Sequence, residues 1–274
     1  MLSYTQYKPS GTLGNFIECY WVCRDPLITM APVERLIPGG RTEMILNFGH
    51  PMQFLAPGEL SDGTAVRHAH VMGQRNRIYY AKQGGGTDLL GVRFKPGGIS
   101  AFTSLPVSDL LNQIIPAEDV LGILIKDWED RLAEEKNDAG RIHLLDSLLM
   151  KIARDTTAEW QSVINAVDTI RKSSTVSVNV LCNENGSYYK KLERAFLKYI
   201  GYTPKNYCGI VRFNKAIRQV YVNKKSLTSV CYDCGYYDQS HFIKDFRQFT
   251  GTTPKHFQAE NHSIAGFLIS QQVV

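Results

Sequence analysis

Residues 226–257 read SLTSVCYDCGYYDQSHFIKDFRQFTGTTPKHF, and this stretch decides the fold of the C-terminal half. Ser226 is placed to cap a short helix whose apolar stripe includes Leu227 and Val230. Gly235 ends that helix where a positive φ is needed. Asp238 then caps a second helix that sets Phe242, Phe246 and Phe249 on one face at i, i+4 and i+7. Its opposite face carries Gln239, Ser240, Ile243, Lys244 and Arg247. A short helix crossed by a second helix with a polar, basic outer face suits entry into a DNA major groove.

The same pattern occurs a second time. A shift of 50 residues lays 176–207 over 226–257, so that Val180 meets Val230, Leu192 meets Phe242 and Phe196 meets Phe246. The turn Gly201-Tyr202-Thr203-Pro204-Lys205 falls on Gly251-Thr252-Thr253-Pro254-Lys255. Two copies of one bihelical unit are therefore expected, joined by a helix over 204–222.

Leu192-x-Arg194-x-Phe196, Gly201-x-x-Pro204, Arg212 with Ala216, Gly235-Tyr236-x-Asp238-x-Ser240-x-Phe242 and Phe246-x-x-x-x-Gly251-x-x-Pro254 stand in the order found in AraC-type transcriptional regulators, which the chain resembles over 156–262. The resemblance implies two helix-turn-helix units on a common long helix, double-stranded DNA and RNA polymerase as partners, and no catalysis. One position departs from the family pattern. Tyr188 stands where the first reading helix would have a serine cap, with Ser187 one residue early.

On the first reading helix, Lys190, Glu193 and Arg194 lie together opposite Tyr189, Leu192 and Phe196. Arg194 suits guanine O6/N7, and Glu193 suits cytosine N4. Gln239, Ser240, His241, Ile243 and Lys244 are the candidates on the second, with Ile243 fitted to a thymine methyl. Lys191 (also a candidate on the DNA face), Lys198, Lys205, Arg247 and Lys255 are placed for phosphate. A rigid joining helix would hold the two readers about 34 Å apart, one turn of DNA.

Charge follows the same division. Residues 1–155 carry 16 Lys+Arg against 18 Asp+Glu, whereas 156–274 carry 15 against 8, so the basic excess sits on the DNA-reading half. The N-terminal 1–155 holds strand-like runs at 13–23, 33–37, 43–48, 52–55, 65–72, 76–81 and 88–94, separated by Pro-Gly and Gly-Gly turns. That spacing predicts a β-barrel or β-sandwich, making the whole chain α+β. The period then changes, and helices are expected over 98–104, 106–113, 117–135 and 141–154. These helices could cover the β-domain or pair with a second copy as a homodimer. The domain boundary is expected near 154–158, and an apolar tail at 263–274 lies beyond the motifs.

The first half also resembles a domain found ahead of some AraC-type readers, through Tyr20-Trp21, Arg35-x-Ile37-Pro38-x-Gly40-x-x-Glu43, Gly73-Gln74 and Gly91-Val92-Arg93-Phe94-x-Pro96-Gly97-Gly98. Other members of the family bind small effectors in an N-terminal barrel. Arg35, Glu43 and Arg93, with Arg75 and Arg77, are the candidates for a pocket taking a small anion, and that pocket could instead carry the main activity. No nucleophile–base pair or phosphate loop accompanies them. His68-Ala-His70 lacks the carboxylate a metal site would add, and Cys231-x-x-Cys234 lacks a second ligand pair, so no metal or cofactor is expected. The six cysteines are expected to stay reduced. With no apolar run of membrane length and no secretory signal at the N-terminus, a cytoplasmic location is expected.

Overall fold

The N-terminal strands are short because glycine and proline interrupt them every few residues, and they pair antiparallel in two sheets. A computed structural model describes residues 3–25, 33–56, 64–221, 223 and 225–259. The expected tail at 263–274 lies outside the described residues. In chain order the strands are β1 (Ser3–Tyr7), β2 (Ile17–Asp25), β3 (Glu34–Leu36), β4 (Glu43–Asn47), β5 (Met52–Leu55), β6 (Thr64–Val66), β7 (His70–Met72), β8 (Tyr79–Gln83), β9 (Thr87–Phe94) and β10 (Ile114–Pro116). One sheet has the order β1-β2-β9-β4-β7-β10 and the other β3-β8-β5-β6. Among the described residues the two do not join into a closed barrel, so the domain is a sandwich.

The larger sheet is covered on both faces, which is why β2 reads as nearly unbroken apolar sequence. Tyr20 and Val22 face one core, while Cys19, Trp21 and Cys23 face the smaller sheet. A register shift between Ile17 and Cys19 lets Ile17 join the first core although it is two residues from Cys19. Gly91 on β9 is required by Trp21, whose indole occupies the place a Cβ would take.

The far face of the larger sheet is closed by α1 (Ala117–Leu121), α2 (Lys126–Ala133) and α3 (Asp138–Ile152), whose Val120, Trp128, Leu132, Leu145 and Leu149 share a core with β2, β4 and β9. These helices cover the sheet, as one of the two expectations had it. The expected single helix over 117–135 is broken, however. Gly122 at φ 103° ends α1, a 3₁₀ turn follows, and Leu124 within the expected helix is 62% exposed. The expected helices at 98–104 and 106–113 are single 3₁₀ turns, Gly98–Ala101 and Val107–Leu110, and β10 follows the second.

A link at 153–157 leads, among the described residues, to seven helices: α4 (Ala158–Lys172), α5 (Val178–Glu184), α6 (Tyr189–Tyr199), α7 (Pro204–Tyr221), α8 (Leu227–Asp233), α9 (Gln239–Thr250) and α10 (Pro254–Ala259). They share one core from Trp160 to Phe257, into which Phe16, Ile37 and Leu111 of the N-terminal half also pack. The two halves therefore touch over a broad surface. Trp160 Nε1 donates to Gly97 O at 3.0 Å, with the Phe16 ring edge-on at 5.7 Å. A Cβ on Gly201 would sit 2.9 Å from Val107 O, and one on Gly40 would sit 3.1 Å from Ile210 Cγ2.

Candidate nucleic-acid interface

Each helix-turn-helix unit is built by its caps and its turn glycine. In the second unit, Ser226 Oγ accepts from Ser229 N at 3.3 Å to start α8, and Gly235 at φ 72° ends it. Asp238 Oδ1 then accepts from His241 N at 2.7 Å, satisfying an amide that would otherwise have no partner at the start of α9. Phe242 and Phe246 are fully buried, and Phe246 stacks edge-on against Phe213 of α7 at 5.7 Å. Gly251 at φ 74° closes the helix.

The first unit follows the same plan with one difference. Ser177 caps α5 by accepting from Val180 N at 3.3 Å. Tyr188 occupies the cap of α6 in extended conformation, and its side chain makes no cap hydrogen bond. Leu192 and Phe196 face inward, and Ile200, Gly201 and Tyr202 turn the chain into α7. Both units thus hang from α7, where Tyr207, Ile210 and Val211 serve one core and Phe213, Ile217 and Val220 continue it toward the other.

The residues expected to read DNA are distributed as follows. Lys190, Lys191 and Arg194 are exposed on α6, and Gln239, Ser240 and Lys244 are exposed on α9. Glu193 is half-buried and accepts from Tyr189 Oη at 2.8 Å. Ile243 is only half-exposed and packs against the helical core. His241 turns toward α7, with its ring edge-on to Tyr236 at 5.3 Å and its Nε2 3.5 Å from Arg212 Nη2. Of the phosphate candidates, Lys205, Arg247 and Lys255 are exposed. Lys198 is held by Glu159 at 3.1 Å and lies over the Tyr199 ring, and its hydrogen bond keeps the Glu159 carboxyl below the usual range. Sequence reasoning missed two exposed aromatics of the second unit, Tyr232 at 88% and Tyr237 at 93%, and named Tyr188 only as a departure from the cap pattern. The signal was present in the 50-residue register, where Tyr237 falls opposite Ser187 just before each reading helix.

Arg212 ties α7 to α9 through Asp245 Oδ2 at 3.2 Å and lies over the Tyr236 ring at 4.6 Å. Beside this pair an open cleft of about 670 Å³ runs between the two units, lined among others by Lys205, Arg212, His241, Asp245 and Gln248, and by Asn76 of the sandwich.

The candidate anion site is arranged differently from expectation. Glu43 and Arg93 are cross-strand neighbours, and Arg93 Nε donates to Glu43 Oε1 at 2.6 Å. Burial alone would raise the Glu43 carboxyl, but Arg93, then Arg75 and Arg41, hold it below the usual range. The two spend their charge on each other. Arg75 is half-buried near them with Nη2 3.5 Å from Ile37 O, Arg77 lies over the Tyr79 ring, and Arg35 sits on β3 in register with Tyr80. His68 is exposed next to Glu129, while His70 is buried with Nδ1 against His68 O, so the two imidazoles do not converge. Cys231 and Cys234 are both buried, and burial pushes the Cys234 thiol up to about 11, away from the thiolate a metal or a nucleophile needs.

Two helix-turn-helix units on one joining helix define the C-terminal half as a double helix-turn-helix DNA-binding domain. Residues 181–260 match a family described as a helix-turn-helix domain, and residues 5–116 match a domain of unknown function, DUF6597. By these motifs and this match, residues 181–260 form a helix-turn-helix domain of the AraC type. It is similar to the HTH-type transcriptional regulator ArgR of Pseudomonas aeruginosa, 25% identical over 150 residues that make up 42% of this chain and 46% of the relative. The match thus spans less than half the length of that curated relative. Among solved structures, ToxT of Vibrio cholerae aligns over 94% of this chain and 98% of its own at TM-score 0.45 and 8% identity. The xylose-binding transcription activator XylR aligns over 45% and 39% at TM-score 0.35 and 19% identity. No helix among the described residues is long and apolar enough to cross a membrane.

Proposed function

We propose that the chain is a sequence-specific transcription regulator that binds double-stranded DNA at a bipartite major-groove site and is modulated by a small effector through its N-terminal half. The observation that carries this reading is the pair of helices α6 and α9, each crossing a shorter helix and each presenting exposed polar and basic residues, on the common helix α7. Lys190, Arg194, Gln239, Ser240 and Lys244 are the base-reading candidates, with Lys205, Arg247 and Lys255 on phosphate. Glu193 and Ile243 serve from half-buried positions. His241 acts through Arg212 rather than on a base.

The mutual Glu43–Arg93 pairing disfavours a free anion at those residues. The cleft lined by Asn76, Lys205 and Arg212 offers an effector more room, and it touches both the sandwich and α9. Binding of the whole chain to random-sequence duplexes at rising salt tests the central reading. Affinity should fall steeply and linearly on logarithmic axes as phosphate-bound cations release counterions. A salt-independent or absent interaction with duplex DNA would sink it.

A further inference from the structure

One segment of the sandwich touches the C-terminal ends of both reading helices. It is 74–80, most of the connection from β7 in the larger sheet together with the first two residues of β8 in the smaller one. Gln74 Nε2 donates to Ile200 O at 2.9 Å, immediately after α6, and Tyr202 Oη donates to Arg75 O at 2.5 Å. The next residue serves the other unit: Gln248 Nε2 of α9 donates to Asn76 O at 3.3 Å. Gly251, which ends α9, approaches the same segment so closely that a Cβ there would lie 3.3 Å from Tyr80 Oη and 3.5 Å from Ile78 Cδ1. Adjacent carbonyls of one loop therefore hold two different DNA-reading units.

The segment is itself held rigidly. Asn112 sits at φ 58°, a left-handed conformation that asparagine tolerates better than most side chains. From there its N–H donates to Gln74 O at 2.7 Å, its Nδ2 donates to Asn76 Oδ1 at 2.9 Å, and its Oδ1 accepts from Asn76 N at 3.1 Å. Its carbonyl accepts from Tyr79 Oη at 2.9 Å. Gly73 lies against Leu110, where no Cβ would fit, and donates to Gln113 O at 3.0 Å. A loop pinned at this many points has little freedom to follow the helices it touches.

We propose that this bracket makes the N-terminal domain a determinant of DNA specificity, by fixing the spacing and relative rotation of α6 and α9 and hence the number of base pairs allowed between two half-sites. The inference rests on the reading that both helices enter DNA. Within the helical domain the units are tied by α7 and the Arg212–Asp245 pair, both at one side of α9. The bracket adds a tie at the C-terminal end of each reading helix, so that neither unit can pivot about the ends of α7.

The test uses the full chain and the best duplex from a random-DNA selection, with derivatives carrying one base pair more or fewer between the half-sites. One base pair moves a half-site by about 3.4 Å and rotates it by about 34°. Asn112→Gly keeps the left-handed backbone and removes the side-chain pins, and Gln248→Ala opens the exposed contact to α9. The unaltered chain should bind the altered spacings about tenfold or more weakly than the selected one. Each variant should bind them within about threefold of the selected duplex while holding an isolated half-site like the unaltered chain. Equal spacing penalties in unaltered and variant chains would overturn the inference alone. An unaltered chain indifferent to spacing would overturn the bipartite reading and the inference with it.

Discussion

Arg194 and Lys205 are both exposed cations of the first unit, and their chemistry separates them. Arg194 lies on the outward face of α6, opposite Leu192 and Phe196, where a guanidinium fork can bond a guanine edge at two points. Lys205 starts α7 as a point charge, suited to phosphate. Arg194→Ala should therefore cost about 1–3 kcal/mol on the preferred duplex and relax choice at one base pair. Lys205→Ala should weaken all duplexes alike and lower the salt slope by about one. Affinity measured across a set of single-base variants at several salt concentrations separates the two, and identical uniform losses would remove Arg194 from the base-reading set. Glu43 poses a different question, one of stability. Arg93 holds its folded-state pKa below the unfolded value. The contribution is thus present in full above the ordinary carboxylate range and fades as pH falls through the lowered value. Glu43→Gln should cost about 1–3 kcal/mol near neutral pH by leaving the buried Arg93 cation uncompensated, and progressively less on acidification. Unfolding midpoints across pH for both chains check this, and a cost independent of pH would show that packing, not charge, is what the substitution removes.

At the scale of elements the two reading helices differ at their starts. Asp238 satisfies an amide of α9, whereas Tyr188 leaves α6 without a side-chain cap. Asp238→Ala should destabilise by about 0.5–2 kcal/mol, and Tyr188→Ser should stabilise by about 0.5–1 kcal/mol, because its backbone is already extended as a cap requires. Denaturant midpoints of the two variants should move in opposite directions, and an unmoved midpoint for Asp238→Ala would remove the cap. These local features were legible in the sequence. Caps, turn glycines and Phe242–Phe246–Phe249 periodicity all act within a few residues, and the reading helices α6 and α9 repeat at the expected shift of 50. The helices before them repeat at 49 instead, since Ser177 and Gly186 match Ser226 and Gly235, so that Leu181 and not the 43%-exposed Val180 takes the buried place of Val230. What escaped was what depends on partners distant in the chain. Gly122 looks like any glycine inside an amphipathic run until its φ of 103° breaks the helix and exposes Leu124. Strands β1 and β10 lie outside every expected strand run, and their pairing with β2 and β7 defines them. His241 belongs by helical position to the face of α9, yet Arg212 and Asp245 draw it aside.

The whole molecule brings these pieces under one constraint, the surface shared by its halves. Sequence composition points to two domains meeting near 154–158, and the five-residue link at 153–157 between α3 and α4 is a natural place to cut. The helical half owns its own core from Trp160 to Phe257 and the net positive excess of the chain, so a fragment over 157–262 should fold and bind DNA with salt-sensitive affinity. It would do so at a cost. Trp160 would lose Gly97 O and the Phe16 ring, Tyr202 Oη would lose Arg75 O, and Ile200 and Ile210 would lose their covers. Each large apolar side chain that becomes fully exposed gives up about 1.5–3 kcal/mol, so partial exposure of several is a substantial share of the 5–15 kcal/mol typical of a domain. The fragment should therefore melt well below the full chain, and its melting temperature should rise when duplex DNA is added. Calorimetry of fragment and full chain, each with and without the selected duplex, makes the comparison. A fragment as stable as the full chain would mean that the interface contributes little, and a folded fragment with no salt-sensitive binding would take the DNA-reading role away from the helical half.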